Sequence, residues 1–133
     1  MPGCKLVLEC ISVKGFCPIY EVGDKVTFEE PRLVIEETDE YCIGGLTSIL
    51  PFYRPLVRGI SPQELGLTEG IVACHAAALD RPAAHGTVFF KIKQIPLTET
   101  FEDRWDKDLE RKGIKGDTSV IRREHWPKDP DKP

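Results

Sequence analysis

A small α+β domain is the fold class this sequence predicts: a mainly antiparallel sheet, one proline-broken helix and an extended C-terminal arm. Three observations carry the expectation. Two-residue hydrophobic alternation opens and closes residues 1–97, a stripe of three- and four-residue spacing falls between, and dense charge of both signs follows Pro96. The expected boundaries are a core domain over 1–97 and a charged arm over 98–133, with a short helix within the arm.

The elements come in order along the chain. In "KLVLECISV", Leu6, Leu8 and Cys10 alternate against Val7, Ile11 and Val13, a strand covered at least partly on both faces. "KGFCPIYEVGD" is broken by Gly15, Pro18 and Gly23, so Cys17 falls in a loop, and Pro18 holds Cys17 extended. "KVTFEE" and "RLVIEE" supply one or two short strands. From Tyr41 the period changes, with Leu46, Ile49, Leu50, Tyr53, Leu56 and Val57 forming a helical stripe. Proline removes a hydrogen bond and clashes one turn back, so Pro51 predicts a short first segment and a second helix beginning near it. Gly59 ends that helix, and Cys42 stands at or just before its first turn. "GIVACHAAALD" and "TVFFKIKQI" read as an antiparallel hairpin across the turn-rich "RPAAHG". In the arm, "FEDRWDKDLERKG" places Phe101, Trp105 and Leu109 on one helical face with Gly113 as the stop.

Composition narrows the function classes. Eighteen basic residues are interspersed with 22 acidic ones, for a net charge of −4. That distribution gives no electrostatic footprint for nucleic acid. No apolar run approaches the roughly 20 residues that span a bilayer. "MPGCKLVLEC" passes directly into a strand pattern rather than an export signal, so a cytoplasmic protein is expected. Its five cysteines, Cys4, Cys10, Cys17, Cys42 and Cys74, contain no C-x-x-C. A reducing compartment disfavours disulfides, and free cysteine packs as a small buried hydrophobe.

The stretches "KLVLECISVKGFCPIYEVGDKVTFE", "YCIGGLTSILPFYRPLVRG" and "IVACHAAALDRPAAHGTVFFKIKQI" together resemble a family of short uncharacterised bacterial and archaeal Cys-containing proteins. The shared pattern is a C-K-led strand, a C-P followed by G-D, a Cys-led aromatic helix with internal proline, an A-C-[CH] segment and a V-F-F-K-I strand. It covers residues 4–96 and leaves the arm outside. The resemblance picks out Cys17, Cys42 and Cys74. At position 75 this chain has His where the family has a second Cys, an exchange common at zinc ligand positions and poor in a packed core.

The site expected from that resemblance is a metal site of Cys17, Cys42, Cys74 and His75, with His85 as a possible completing ligand and zinc as the cofactor. Adjacent strand residues point to opposite faces, so Cys74 and His75 reach one ion only across a bulge. Iron–sulfur ligation is disfavoured, because local thiolate runs are absent and three cysteines are one short of the usual four. Thiol chemistry at Cys42, activated by a helix N-terminus with His75 or His85 as base, is a second reading. In a third, the three cysteines simply pack together. The functional expectation is an accessory or binding subunit of a larger enzyme complex or homo-oligomer, with a Cys/His cluster able to bind metal. Its arm would grip a protein partner or a second copy through Trp105 and Trp126. An arm docked on its own monomer and a disordered arm are the competing arrangements. The alternative function is a zinc-dependent enzyme or a thiol redox protein using Cys42, Cys74 and His75.

Overall fold

Alternating Leu6, Leu8 and Cys10 set the centre of the molecule. They lie on one face of β1, Cys4–Lys14, and all three are buried. The computed structural model describes residues 3–74, 76 and 86–113. Around β1 are β2 (Lys25–Glu29), β3 (Arg32–Leu33), β4 (Ile71–Ala73) and β5 (Thr87–Pro96). They form one sheet in the order β3-β2-β1-β5-β4, with every pair antiparallel. The fold is thus α+β with an antiparallel sheet. β1 and β5 form its long central pair, which the sequence separates by more than seventy residues.

Register explains the core. Leu8 faces Val26 on one side and Ile92 on the other, and Cys10 faces Phe90. Helix α1, Ile43–Val57, covers this face and contributes Ile49, Leu56 and Val57 to the same cluster. Phe28 and Tyr53 meet with ring centroids 5.7 Å apart. The other face of the sheet carries charged side chains around the buried Val7. There Lys93 pairs with Glu9, which holds the Glu9 carboxyl below its usual range chiefly through that hydrogen bond.

Two local expectations are corrected. The alternation along β1 does not run unbroken. The pairing with β5 slips between Cys10 and Ser12, leaving Ile11 as the extra residue of a bulge. A bulge reverses the facing of the residues beyond it, so Val13 packs against the core with Leu6, Leu8 and Cys10 instead of lying opposite them. The break expected at Pro51 is also absent, because α1 carries both Pro51 and Pro55 within one helix. Thr47 and Pro51, whose carbonyls lose their helical partners to the two prolines, are exposed, where water can serve those carbonyls. The buried stripe on the opposite side holds the helix to the sheet.

Two polar ties fix the end of α1. The Gln94 amide donates to the carbonyls of Leu56 and Ile60, at 3.0 and 2.7 Å. The Arg58 guanidinium holds the buried Glu30 carboxylate through two nitrogens, at 2.9 and 3.1 Å. Gly59 then turns the chain away with φ of 93°.

The chain divides into two compact units, Met1–Phe101 and Glu102–Pro133. In the second, α2 (Phe101–Arg111) is the expected arm helix, and it ends at Gly113, whose φ is 76° and whose N–H donates to Glu110. Trp105 and Leu109 lie on its less exposed side. Trp126 and the rest of the arm lie outside the described residues. Among the described residues no helix is long and apolar enough to cross a membrane.

Ile49 is fully buried, whereas its neighbour Leu50 is 54% exposed. Ile49→Ala is expected to lower stability by about 2–5 kcal/mol in urea unfolding, and Leu50→Ala to change it by about 0.5 kcal/mol or less.

Candidate functional site

Cys17, Cys42 and Cys74 line one cavity of about 300 Å3. They reach it from three different elements, and each has a local reason to be there.

Cys17 follows β1 in the loop that Gly15 opens with φ of 84°. Pro18 turns the chain so that the next two amides fold back on the sulfur. The N–H groups of Ile19 and Tyr20 both donate to Cys17 Sγ, each at 3.4 Å. Tyr20 itself is buried and stands edge-on to Phe90, with centroids 5.1 Å apart. Its hydroxyl oxygen accepts the N–H of Cys42 at 2.8 Å.

That hydrogen bond sets the second cysteine. Cys42 is the N-cap of α1, with an extended backbone and a carbonyl that accepts the Leu46 N–H at 2.9 Å. Its side chain makes no capping bond. The helix therefore starts as the sequence predicts, with a sulfur at its N-terminal end.

Cys74 lies just past β4 and exchanges bonds with Val88 of β5. Its N–H donates to the Val88 carbonyl at 3.0 Å, while its sulfur accepts the Val88 N–H at 3.2 Å. The thiol also reaches the Gly86 carbonyl at 3.9 Å. Gly86 is the point where the Cys17 loop crosses β5, since the Gly86 N–H donates to the Phe16 carbonyl. A Cβ at 86 would lie 2.5 Å from the Lys14 carbonyl oxygen and 2.7 Å from the Phe16 nitrogen. Both are backbone atoms that cannot step aside, so only glycine permits the crossing.

Burial pushes the Tyr20 phenol up to about 12, against the opposing effect of the Cys42 N–H. Tyr20 is thus a neutral hydroxyl at the cavity wall. Burial likewise raises the Cys10 thiol. Cys10 belongs to the core and Cys4 to the start of β1; neither lines the cavity.

Two larger grooves lack this chemistry. One, of about 560 Å3, lies against the face that carries Val7, between Lys5, Lys93 and Glu37. Lys5 there is ion-paired to Glu37 at 3.0 Å, and Lys93 to Glu9. The other, of about 420 Å3, is lined by Cys17 alone of the three cysteines, together with Glu21, Asp24 and Glu40.

The three expected cysteines therefore share one cavity, while His75 and His85 lie outside the described residues. Among the described residues, no three His, Cys, Asp or Glu are grouped to hold a single metal ion. Sequence reasoning missed Tyr20 and Gly86. Gly86 had a usable signal, a glycine directly before a strand. Nothing in the sequence marks Tyr20 as the acceptor for an amide 22 residues away.

No protein-family model, no curated protein and no solved structure matches this chain. The resemblance drawn from the sequence accordingly rests on its motifs alone.

A raised phenol favours the fold below its ordinary pKa near 10, and that contribution is lost as pH rises toward the folded value. An alkaline absorbance titration is expected to show one tyrosine ionising near 12, and Tyr20→Phe to remove that late phase. An unchanged late phase in Tyr20→Phe would show that another group produces it.

Proposed function

We propose that this chain is a small binding module, serving as an accessory subunit of a larger assembly, whose working part is the cavity of Cys17, Cys42 and Cys74. The ligand is a thiophilic group, a metal ion or metal-containing centre. One observation carries this reading: three cysteines from distant parts of the sequence line one cavity. Two of those sulfurs also accept backbone N–H groups, the second-sphere contacts that orient and tune metal-bound sulfur. Soft thiolate donors select zinc, copper(I) or iron over magnesium and calcium. His75, next in sequence to Cys74, is the nitrogen donor assigned to the same set.

The arm is the proposed means of attachment. It is dense in charge of both signs and carries Trp105 and Trp126, the residue type that most often anchors a protein interface.

A second reading, thiol redox chemistry, is favoured by the position of Cys42. Its side chain stands at the N-terminal end of a 15-residue helix without a capping bond of its own and lines the cavity.

Isolated under anaerobic conditions, the full chain is expected to carry a thiophilic metal by elemental analysis. Cys17→Ser, Cys42→Ser and Cys74→Ser should each cut its retention by about tenfold or more, with circular dichroism unchanged. A metal-free protein whose Cys42 alkylates much faster than Cys10 would favour the thiol reading instead. Deleting residues 98–133 should abolish association with the partner while the core stays folded; an unchanged elution profile in the presence of partner overturns the accessory role.

A further inference from the structure

The thiol cavity has two properties that do not suit one ion. Cys17, Cys42 and Cys74 all line it, yet no three donors among the described residues are grouped to hold a single metal. At about 300 Å3 the cavity is also far larger than one ion. A mononuclear zinc site would need its donors converging as a tetrahedron on one point.

Resting on the binding reading above, we infer that the group this cavity takes is a polynuclear iron–sulfur cluster held by Cys17, Cys42 and Cys74. In a cluster each thiolate binds a different iron, so the sulfurs surround a volume and need not meet at a point. The protein surroundings fit as well. Ile19 and Tyr20 donate N–H groups to Cys17 Sγ and Val88 donates one to Cys74 Sγ, and hydrogen bonds to sulfur are a principal means of tuning a cluster. Apart from the Tyr20 phenol, the remaining described lining is apolar or small, including Pro18, Ile19, Gly45 and Val88, and contains no carboxylate. Hard cations that seek oxygen donors are thereby disfavoured.

The sequence argues against a cluster because its cysteines form no local run and number one too few. Topology answers the first point, since a loop, a helix start and a strand end supply the proximity that a local run would give. The second point becomes a property of the site: with three thiolates, one iron of a four-iron cluster is left to a ligand that is not a cysteine of this trio. On ligation each thiol releases its proton to solvent, and two ferrous and two ferric ions with four sulfides make the four-iron cluster without net oxidation or reduction.

The test uses the full chain with its thiols reduced beforehand and the reductant removed, incubated anaerobically with ferrous and ferric iron in equal amounts plus sulfide and, in parallel, with zinc alone. After desalting, the iron–sulfide sample is expected to retain iron and acid-labile sulfide in near-equal amounts, with visible charge-transfer absorption and a paramagnetic signal after reduction or oxidation. Cys17→Ser, Cys42→Ser and Cys74→Ser should each lower retained sulfide by about tenfold or more, whereas Cys4→Ser should retain it. Stoichiometric zinc without retained sulfide overturns the cluster while leaving the binding reading intact. Retention of neither overturns both. A cluster unaffected by all three serine variants overturns the assigned ligands, and the sulfide assay on the unsubstituted chain does not depend on how those variants fold.

Discussion

The candidate site depends on one backbone crossing. Phe16 and Gly86 approach so closely that a side chain at 86 would strike main-chain atoms of Lys14 and Phe16. The Gly86 N–H bonded to the Phe16 carbonyl seals that approach. It carries the β1–β5 pairing, which reaches Lys14 and Thr87, one step further toward the loop that holds Cys17, and Cys74 is positioned through its bonds to Val88 on that same strand. Tyr20 then extends the arrangement to the helix, because its hydroxyl fixes the amide of Cys42. A close glycine contact, a strand pairing and one phenol therefore bring three distant sulfurs to a common cavity. The sheet supplies the rigid frame, since β1 and β5 pair along almost their full lengths.

Much of this frame was legible from the sequence, for a physical reason. Alternation in β1 and β5 and the helical stripe of α1 are direct consequences of burying one face, and they locate the sheet, the helix and Cys42 at its start. Two features were not legible because tertiary context decided them. The bulge at Ile11 comes from pairing with β5, and a bulge leaves no mark in a run of apolar residues that suits either face. The unbroken helix through Pro51 and Pro55 reflects packing of Ile49, Leu56 and Val57, which outweighs bonds lost on the solvent side. The site was legible in part. Cys17, Cys42 and Cys74 were named from motifs, but their common cavity follows from the crossing at Gly86, and no local spacing encodes that.

Of the five cysteines Cys10 is buried and the other four are partly exposed, and of those four Cys17, Cys42 and Cys74 line the cavity. Cys10 sits in the core, where its thiol reaches the Ser12 carbonyl at 3.8 Å and packs as a small apolar group. Cys17 and Cys74, only partly buried, receive N–H donors instead. Among the described residues Cys10 Sγ receives no such N–H, and Cys10 lies outside the cavity.

The most direct measurement is bridging of the native thiols by a short bifunctional thiol alkylator, whose spacer links two thiols that border one cavity without requiring them to meet at a single atom. Mass spectrometry is predicted to show a single bridge per chain joining two of Cys17, Cys42 and Cys74, with Cys4 outside it. A bridge that takes in Cys4 equally, or no bridging at all in the folded chain, would contradict a cavity shared by these three sulfurs.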